Sequence, residues 1–189
     1  MAFTVDVPEY VIDASIASLN AGKLMQRGDE SDGTRQQQLV GIIGENMLNV
    51  AIGRRLVTIN GQFDGGADFE LFGLRFDVKT MGRKCPPKKE FVNNLIKQQT
   101  KFDVDAYILT SLDTSSNRLT VCGWLPKLLL FDRAKLYAKG SVRTRDDHTT
   151  FVMKADTYEI KNEDLFYRAR CWPELFVELH HYSKEDIAA

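Results

Sequence analysis

The chain of 189 residues predicts an α/β fold, a mixed sheet flanked by helices, on three observations. A long apolar stretch of helical character comes first. Short β-rich runs separated by glycine-containing turns follow it. A further helical segment then stands before a second group of strands. With 43% of residues apolar, 27% charged and 10% aromatic, the composition supports a hydrophobic core and argues against a disordered chain. The length favours one domain over 1–189, with its core at about 34–125, an N-terminal helix at 9–26 and a C-terminal extension at 126–189.

The elements are justified in order. A helix is expected from Glu9 to Gln26, stopped by the glycine and acidic cluster of Gly28, Asp29, Glu30 and Gly33. A second runs from Thr34 to about Arg55; between Leu39 and Ile52 its only polar side chains are Glu45, Asn46 and Asn49, so it is read as mostly buried. The runs Arg55–Ile59, Ala67–Phe72 and Leu74–Thr80 read as consecutive antiparallel strands. A helix is expected from Lys89 to Lys101, then two strands, AYILTSL and RLTVCGWL, joined across Asp113 to Asn117. Beyond Pro126 the sequence predicts a helix to about Lys139, a strand in FVMKADTYEI and a last helical stretch near Pro173 to Lys184. Arg27–Thr34 and Gly140–Thr150 read as loops.

No run approaches the 18 or so uninterrupted apolar residues of a membrane span, and the first residues lack the order of a signal peptide. Cys85, Cys122 and Cys171 are too widely spaced for a disulfide framework or a CxxC zinc knuckle. The chain therefore reads as a reduced, cytoplasmic protein with no membrane partner.

The net charge of −1 conceals a strong patterning. Residues 1–74 and 146–189 each carry net −5, whereas 75–101 carry +6 and 127–145 carry +5. Two basic blocks inside an acidic envelope fit either a mixed solvated surface or a grip on a phosphate backbone.

Alternation along the strands separates chemistry from packing. Ala67, Phe69 and Leu71 share a face with Leu74, Phe76 and Val78; Asp68, Glu70 and Phe72 share the other with Arg75, Asp77 and Lys79. A two-residue loop at Phe72–Gly73 pairs Leu71 with Leu74, Glu70 with Arg75 and Asp68 with Asp77. Like charges opposed at about 4.5–5.5 Å destabilise a sheet unless neutralised. A divalent cation would do so, and Mg²⁺ suits one or two carboxylates completed by water and phosphate oxygens. The plain alternative is a solvated strand face. Glu45, a lone charge in an apolar helix, is either a surface group or a third ligand.

This arrangement resembles the PD-(D/E)XK nuclease superfamily. The matching positions are Glu45 on the helix, Asp68 in GGADFELFG, and Asp77-Val78-Lys79 in FDVKT, within an α-β-β-β-α-β order over about Thr34 to Leu125. Ala67 replaces the proline of the family's name, and Asp64 is a rival for the first acid. The resemblance implies a restriction-endonuclease-like core and Mg²⁺-dependent hydrolysis of DNA phosphodiesters, with Mn²⁺ able to substitute. It implies metal ligation by Asp68, Asp77, the Val78 carbonyl and Glu45, and a water-orienting, charge-stabilising role for Lys79. Gln98, placed inward by its stripe with Phe91, Leu95 and Phe102, would hold the same water or a phosphate oxygen. Arg83, Lys84, Lys88, Lys89, Lys97 and Lys101 would grip the DNA backbone. VCGWLPK hints at a phage or mobile-element origin. An endonuclease is the leading expectation. The alternatives are a junction resolvase acting as a homodimer, an exonuclease, or a non-catalytic DNA-binding protein.

Other constellations carry less. His148, His180 and His181 form no HExxH-like pair, GIIGEN lacks the Gly-Lys-Ser/Thr ending of a phosphate loop, and Trp124, Trp172, Cys122, Met25, Met47 and Met153 read as packing residues.

Overall fold

The computed structural model describes residues 3–21, 33–57, 66–144 and 148–182. In chain order the elements are β1 (Phe3–Asp6), α1 (Glu9–Ala21), α2 (Arg35–Ala51), β2 (Phe69–Leu71), β3 (Leu74–Arg83), β4 (Val92–Ile96), β5 (Ala106–Asp113), β6 (Arg118–Pro126), α3 (Lys127–Arg133), β7 (Lys135–Tyr137), β8 (Val142–Thr144), β9 (Thr150–Val152), β10 (Thr157–Lys161) and α4 (Trp172–His181). Short 3-10 turns lie at Lys97–Lys101 and Asn162–Asp164.

The fold is α/β around a mixed five-stranded sheet of order β1-β6-β5-β3-β2. β3 and β5 run parallel and the other neighbours antiparallel. All eight residues of β5 are buried, so it forms the spine of the sheet. β4, β10 and β7 form a second, three-stranded sheet, and β8 and β9 a hairpin.

One face of the main sheet, Leu74, Phe76 and Val78 of β3 with Ile108 and Val121, packs against Leu48 of α2 and Leu175 and Leu179 of α4. On the opposite face Tyr107, Leu109, Cys122 and Leu125 meet Leu95, Ile160 and Leu130, from β4, β10 and α3. The sheet therefore carries helices on one side and chiefly a second sheet on the other, where the sequence predicted helices.

Helix α2 starts with a capping box: Thr34 Oγ1 accepts from the Gln37 amide at 3.3 Å, and Gln37 Oε1 accepts from the Thr34 amide at 2.7 Å. Its buried residues include Val40, Ile42, Ile43, Met47 and Leu48, as its apolar composition predicts. Gly44 lets the helix lie directly on β3, since a Cβ there would stand 1.8 Å from Thr80 Oγ1. The β2–β3 hairpin has the expected register, Leu71 with Leu74, Glu70 with Arg75 and Phe69 with Phe76, closed by Phe72 and Gly73 at φ 56° and 73°. Both positive angles belong to the hairpin turn whose twist matches that of the strands. The β5–β6 hairpin also turns at the expected residues, with Asp113 paired to Arg118.

Several expectations are corrected. The helix predicted at Lys89–Lys101 is β4 followed by a 3-10 turn. Asn93 faces inward there, fully buried and donating to Asn162 Oδ1 at 2.8 Å, so a polar residue occupies the core face and hides the two-residue period. The helix after Pro126 stops at Arg133, and β7 leaves to pair with β10. FVMKADTYEI splits into β9 and β10, and the Gly140–Thr150 loop contains β8. Arg55–Val57 form no strand: Asn46 Oδ1 accepts from the Val57 amide at 2.6 Å, a side chain taking the bond a partner strand would offer. Thr58 and Ile59, and the predicted end of the first helix at residues 22–26, lie outside the described residues. β1 was not foreseen; it pairs with β6 at the sheet edge. Among the described residues no helix is long and apolar enough to cross a membrane.

Candidate active site

Asp77 and Lys79 are two residues apart on β3 and so project to the same face. Lys79 Nζ lies 2.8 Å from Asp77 Oδ2; the Asp77 side chain is 3% exposed and that of Lys79 21%. The carboxylate of this ion pair is almost wholly withdrawn from water, so removing the lysine would leave it without its neutralising partner.

Asp68 stands just before β2. Its amide donates to the Phe76 carbonyl at 2.9 Å, and its Oδ2 accepts from the Val78 amide at 2.6 Å. β2 pairs with β3 no further than Phe76, so the Asp68 side chain occupies the strand edge that β2 leaves. The hairpin register thus brings the two aspartates to neighbouring positions, with Asp68 folded along the edge toward Val78.

Glu45 sits half-buried on α2, one residue after the glycine that seats the helix on Thr80, and its charge acts on Asp68. Thr80 is in turn held by Thr110, Oγ1 to Oγ1 at 2.8 Å. The charges of Asp77, Glu45 and Lys79 all act on the Asp68 carboxyl. Burial pushes the Asp68 carboxyl well above the usual aspartate range, and the negative charges of Asp77 and then Glu45 push it further; Lys79 and the Val78 amide pull the other way without cancelling this.

The structure thereby pairs Asp77 with Lys79 and ties Asp68 to the Val78 amide between them, with Glu45 linked to this group by its charge on Asp68. Asp64, the rival first acid, lies outside the described residues. Gln98 is a correction: it sits exposed on the 3-10 turn, while Gln99 is the half-buried one. The helical stripe that turned Gln98 inward does not exist because the segment is strand and 3-10 turn.

Of the basic residues, Lys84, Lys88, Lys89, Lys97 and Lys101 are exposed. Lys97 pairs with Asp156 at 3.5 Å, and Lys88 Nζ lies 5.8 Å from the Phe91 ring centre. Arg83 differs. It is half-buried, donates to the Val92 carbonyl at 2.6 Å and lies over Phe91 at 4.7 Å, and burial lowers its pKa. Its guanidinium ties the end of β3 to β4.

One neighbour escaped the sequence reading. Tyr107 of β5 is the register partner of Asp77 and is fully buried. The available signal was a phenol near the start of a strand whose next residues are aliphatic.

The donors present are hard oxygens, which suit a hard divalent cation. Among the described residues no three His, Cys, Asp or Glu side chains converge closely enough to hold a metal ion by themselves. The crowding of Asp68 by two other carboxylates nevertheless fits a cation held by a carboxylate pair with carbonyl and water oxygens. Compared with known proteins, the chain finds no matching family model, no matching curated protein and no matching solved structure.

Proposed function

We propose that the chain is a Mg²⁺-dependent deoxyribonuclease of the PD-(D/E)XK type, hydrolysing DNA phosphodiester bonds as an endonuclease. The observation that carries this reading is the grouping of charges about Asp68 at the edge of β3, where burial first, then the negative charges of Asp77 and Glu45, raise its carboxyl against the pull of Lys79. Such a cluster is costly unless a cation or protons relieve it.

Asp68 and Asp77 would hold the ion, with the Val78 carbonyl beside them and Glu45 bonding directly or through water; Mn²⁺ would substitute. When bound, the ion supplies an acidified water near neutral pH and neutralises charge growing on the phosphate. Lys79, already aligned by Asp77, orients the attacking water and offsets negative charge in the transition state. Exposed Lys84, Lys88, Lys89, Lys97 and Lys101 contact phosphates, which positions the duplex without reading its sequence.

The test is nicking of closed circular plasmid with Mg²⁺ by the wild type, Asp77→Ala and Lys79→Ala proteins, with DNA binding measured in parallel. Both substitutions should abolish nicking and leave binding largely intact. Cleavage by Asp77→Ala would refute the site. Activity confined to linear DNA would indicate an exonuclease, preference for junctions a resolvase, and DNA binding without Mg²⁺ or Mn²⁺ binding a non-catalytic protein.

A further inference from the structure

Tyr107 sits beside Asp77 without a recognised purpose. The two are paired across the parallel β3–β5 ladder, so their side chains rise from the same face of adjacent strands. Tyr107 is fully buried and packs with Leu95, Leu109 and Leu125, surroundings that a phenylalanine would fill equally well. Its hydroxyl is buried and has no hydrogen-bond partner among the described residues. Buried tyrosine hydroxyls nearly always find one, and leaving a donor unmet opposes folding.

The missing partner must be an acceptor that enters the site. Water is small enough and offers lone pairs to a phenol and protons to a carboxylate. A phenol carries its proton near neutral pH and is a donor to such a water, while the Asp77 carboxylate on the adjacent strand is an acceptor from it.

We propose that Tyr107 is a positioning residue for Asp77, its hydroxyl sharing an ordered water with the Asp77 carboxylate and holding it in the orientation that takes a divalent ion. This rests on the metal-binding reading of the site. Groups that orient a metal ligand without touching the metal commonly change affinity by about 10–100-fold when removed.

The experiment is calorimetric titration of Mn²⁺ into the wild type, Tyr107→Phe and, as a control, Tyr158→Phe, whose ring packs on Phe131. Thermal unfolding of each metal-free protein is recorded, together with the near-ultraviolet phenol band during titration. The expected result is an affinity about 10–100-fold weaker in Tyr107→Phe, with an unfolding temperature no lower than the wild type's. The wild type and the control should show a phenol band shift on Mn²⁺ addition that Tyr107→Phe lacks, and the control should bind like the wild type. Equal affinities in the wild type and Tyr107→Phe would overturn this inference and leave the nuclease reading standing. No Mn²⁺ binding by the wild type would overturn both. A Tyr107→Phe protein that loses its fold would assign the hydroxyl to the core and overturn the inference alone.

Discussion

The Val78 amide donates to Asp68 Oδ2 at 2.6 Å, so a side chain completes the edge of β3 where β2 has run out. The same carboxyl is crowded by Asp77 and Glu45. Asp68 thus serves the backbone as an acceptor while its charge is resisted by its surroundings. Asparagine keeps the acceptor and removes the charge.

This conflict has a definite pH dependence. The Asp68 carboxyl of the folded protein holds its proton above the pH, about 4, at which the unfolded chain releases it. Between those two values the folded state binds the extra proton, so the stability contributed by this carboxyl is fully present below about pH 4 and is lost as pH rises through the folded-state pKa. Thermal unfolding in chelator from pH 4 upward should show this decline for the wild type. Asp68→Asn should flatten it and unfold at a higher temperature near neutrality. Mg²⁺ should restore the wild type and leave Asp68→Asn little changed. An unchanged pH profile in the variant would count against the crowding of this carboxyl.

The seat of α2 on β3 is equally testable. A Cβ at position 44 would stand 1.8 Å from Thr80 Oγ1 and 2.9 Å from its Cβ, so Gly44→Ala must push the helix outward. Overpacking of this kind costs about 1–3 kcal/mol, read as a lower denaturant midpoint. Glu45 moves with the helix, so Mg²⁺ affinity should fall as well. Adding Thr80→Ala should recover part of the stability, though Thr110 then loses its hydroxyl partner.

The basic residues separate by what they already hold. Arg83→Gln should lower stability by about 1 kcal/mol through its lost bond to Val92 and its contact with Phe91. Lys84→Gln and Lys89→Gln should leave unfolding unchanged and each reduce the salt slope of DNA binding by about 1. A matching loss of salt dependence in Arg83→Gln, with unaltered stability, would show that its guanidinium faces DNA instead.

The hairpin could be read from sequence because two independent rules agree there: alternating polarity sets the faces, and the loop at Phe72–Gly73 sets the register. The capped α2 was legible for similar reasons, since Thr34 and Gln37 begin a continuous apolar run. Elsewhere the decisive bonds join distant residues. Asn93 is buried because Asn162, far along the chain, receives its amide; without that partner a strand with an inward asparagine is not an obvious choice. Gln98 followed the same error outward. Arg55–Val57 failed as a strand because Asn46 captures its backbone, and Tyr107 escaped notice because its importance comes only from its neighbour across the sheet.

Helix α4 lies far downstream of β3, yet Leu175 and Leu179 complete the apolar layer beneath Phe76 and Val78, and Glu178 Oε2 accepts from Trp124 Nε1 at 3.1 Å. During synthesis the strand bearing Asp77 and Lys79 therefore leaves the ribosome long before its underside can be sealed. The apolar underside of the strand that carries Asp77 and Lys79 is thus closed only by a helix made some ninety residues later.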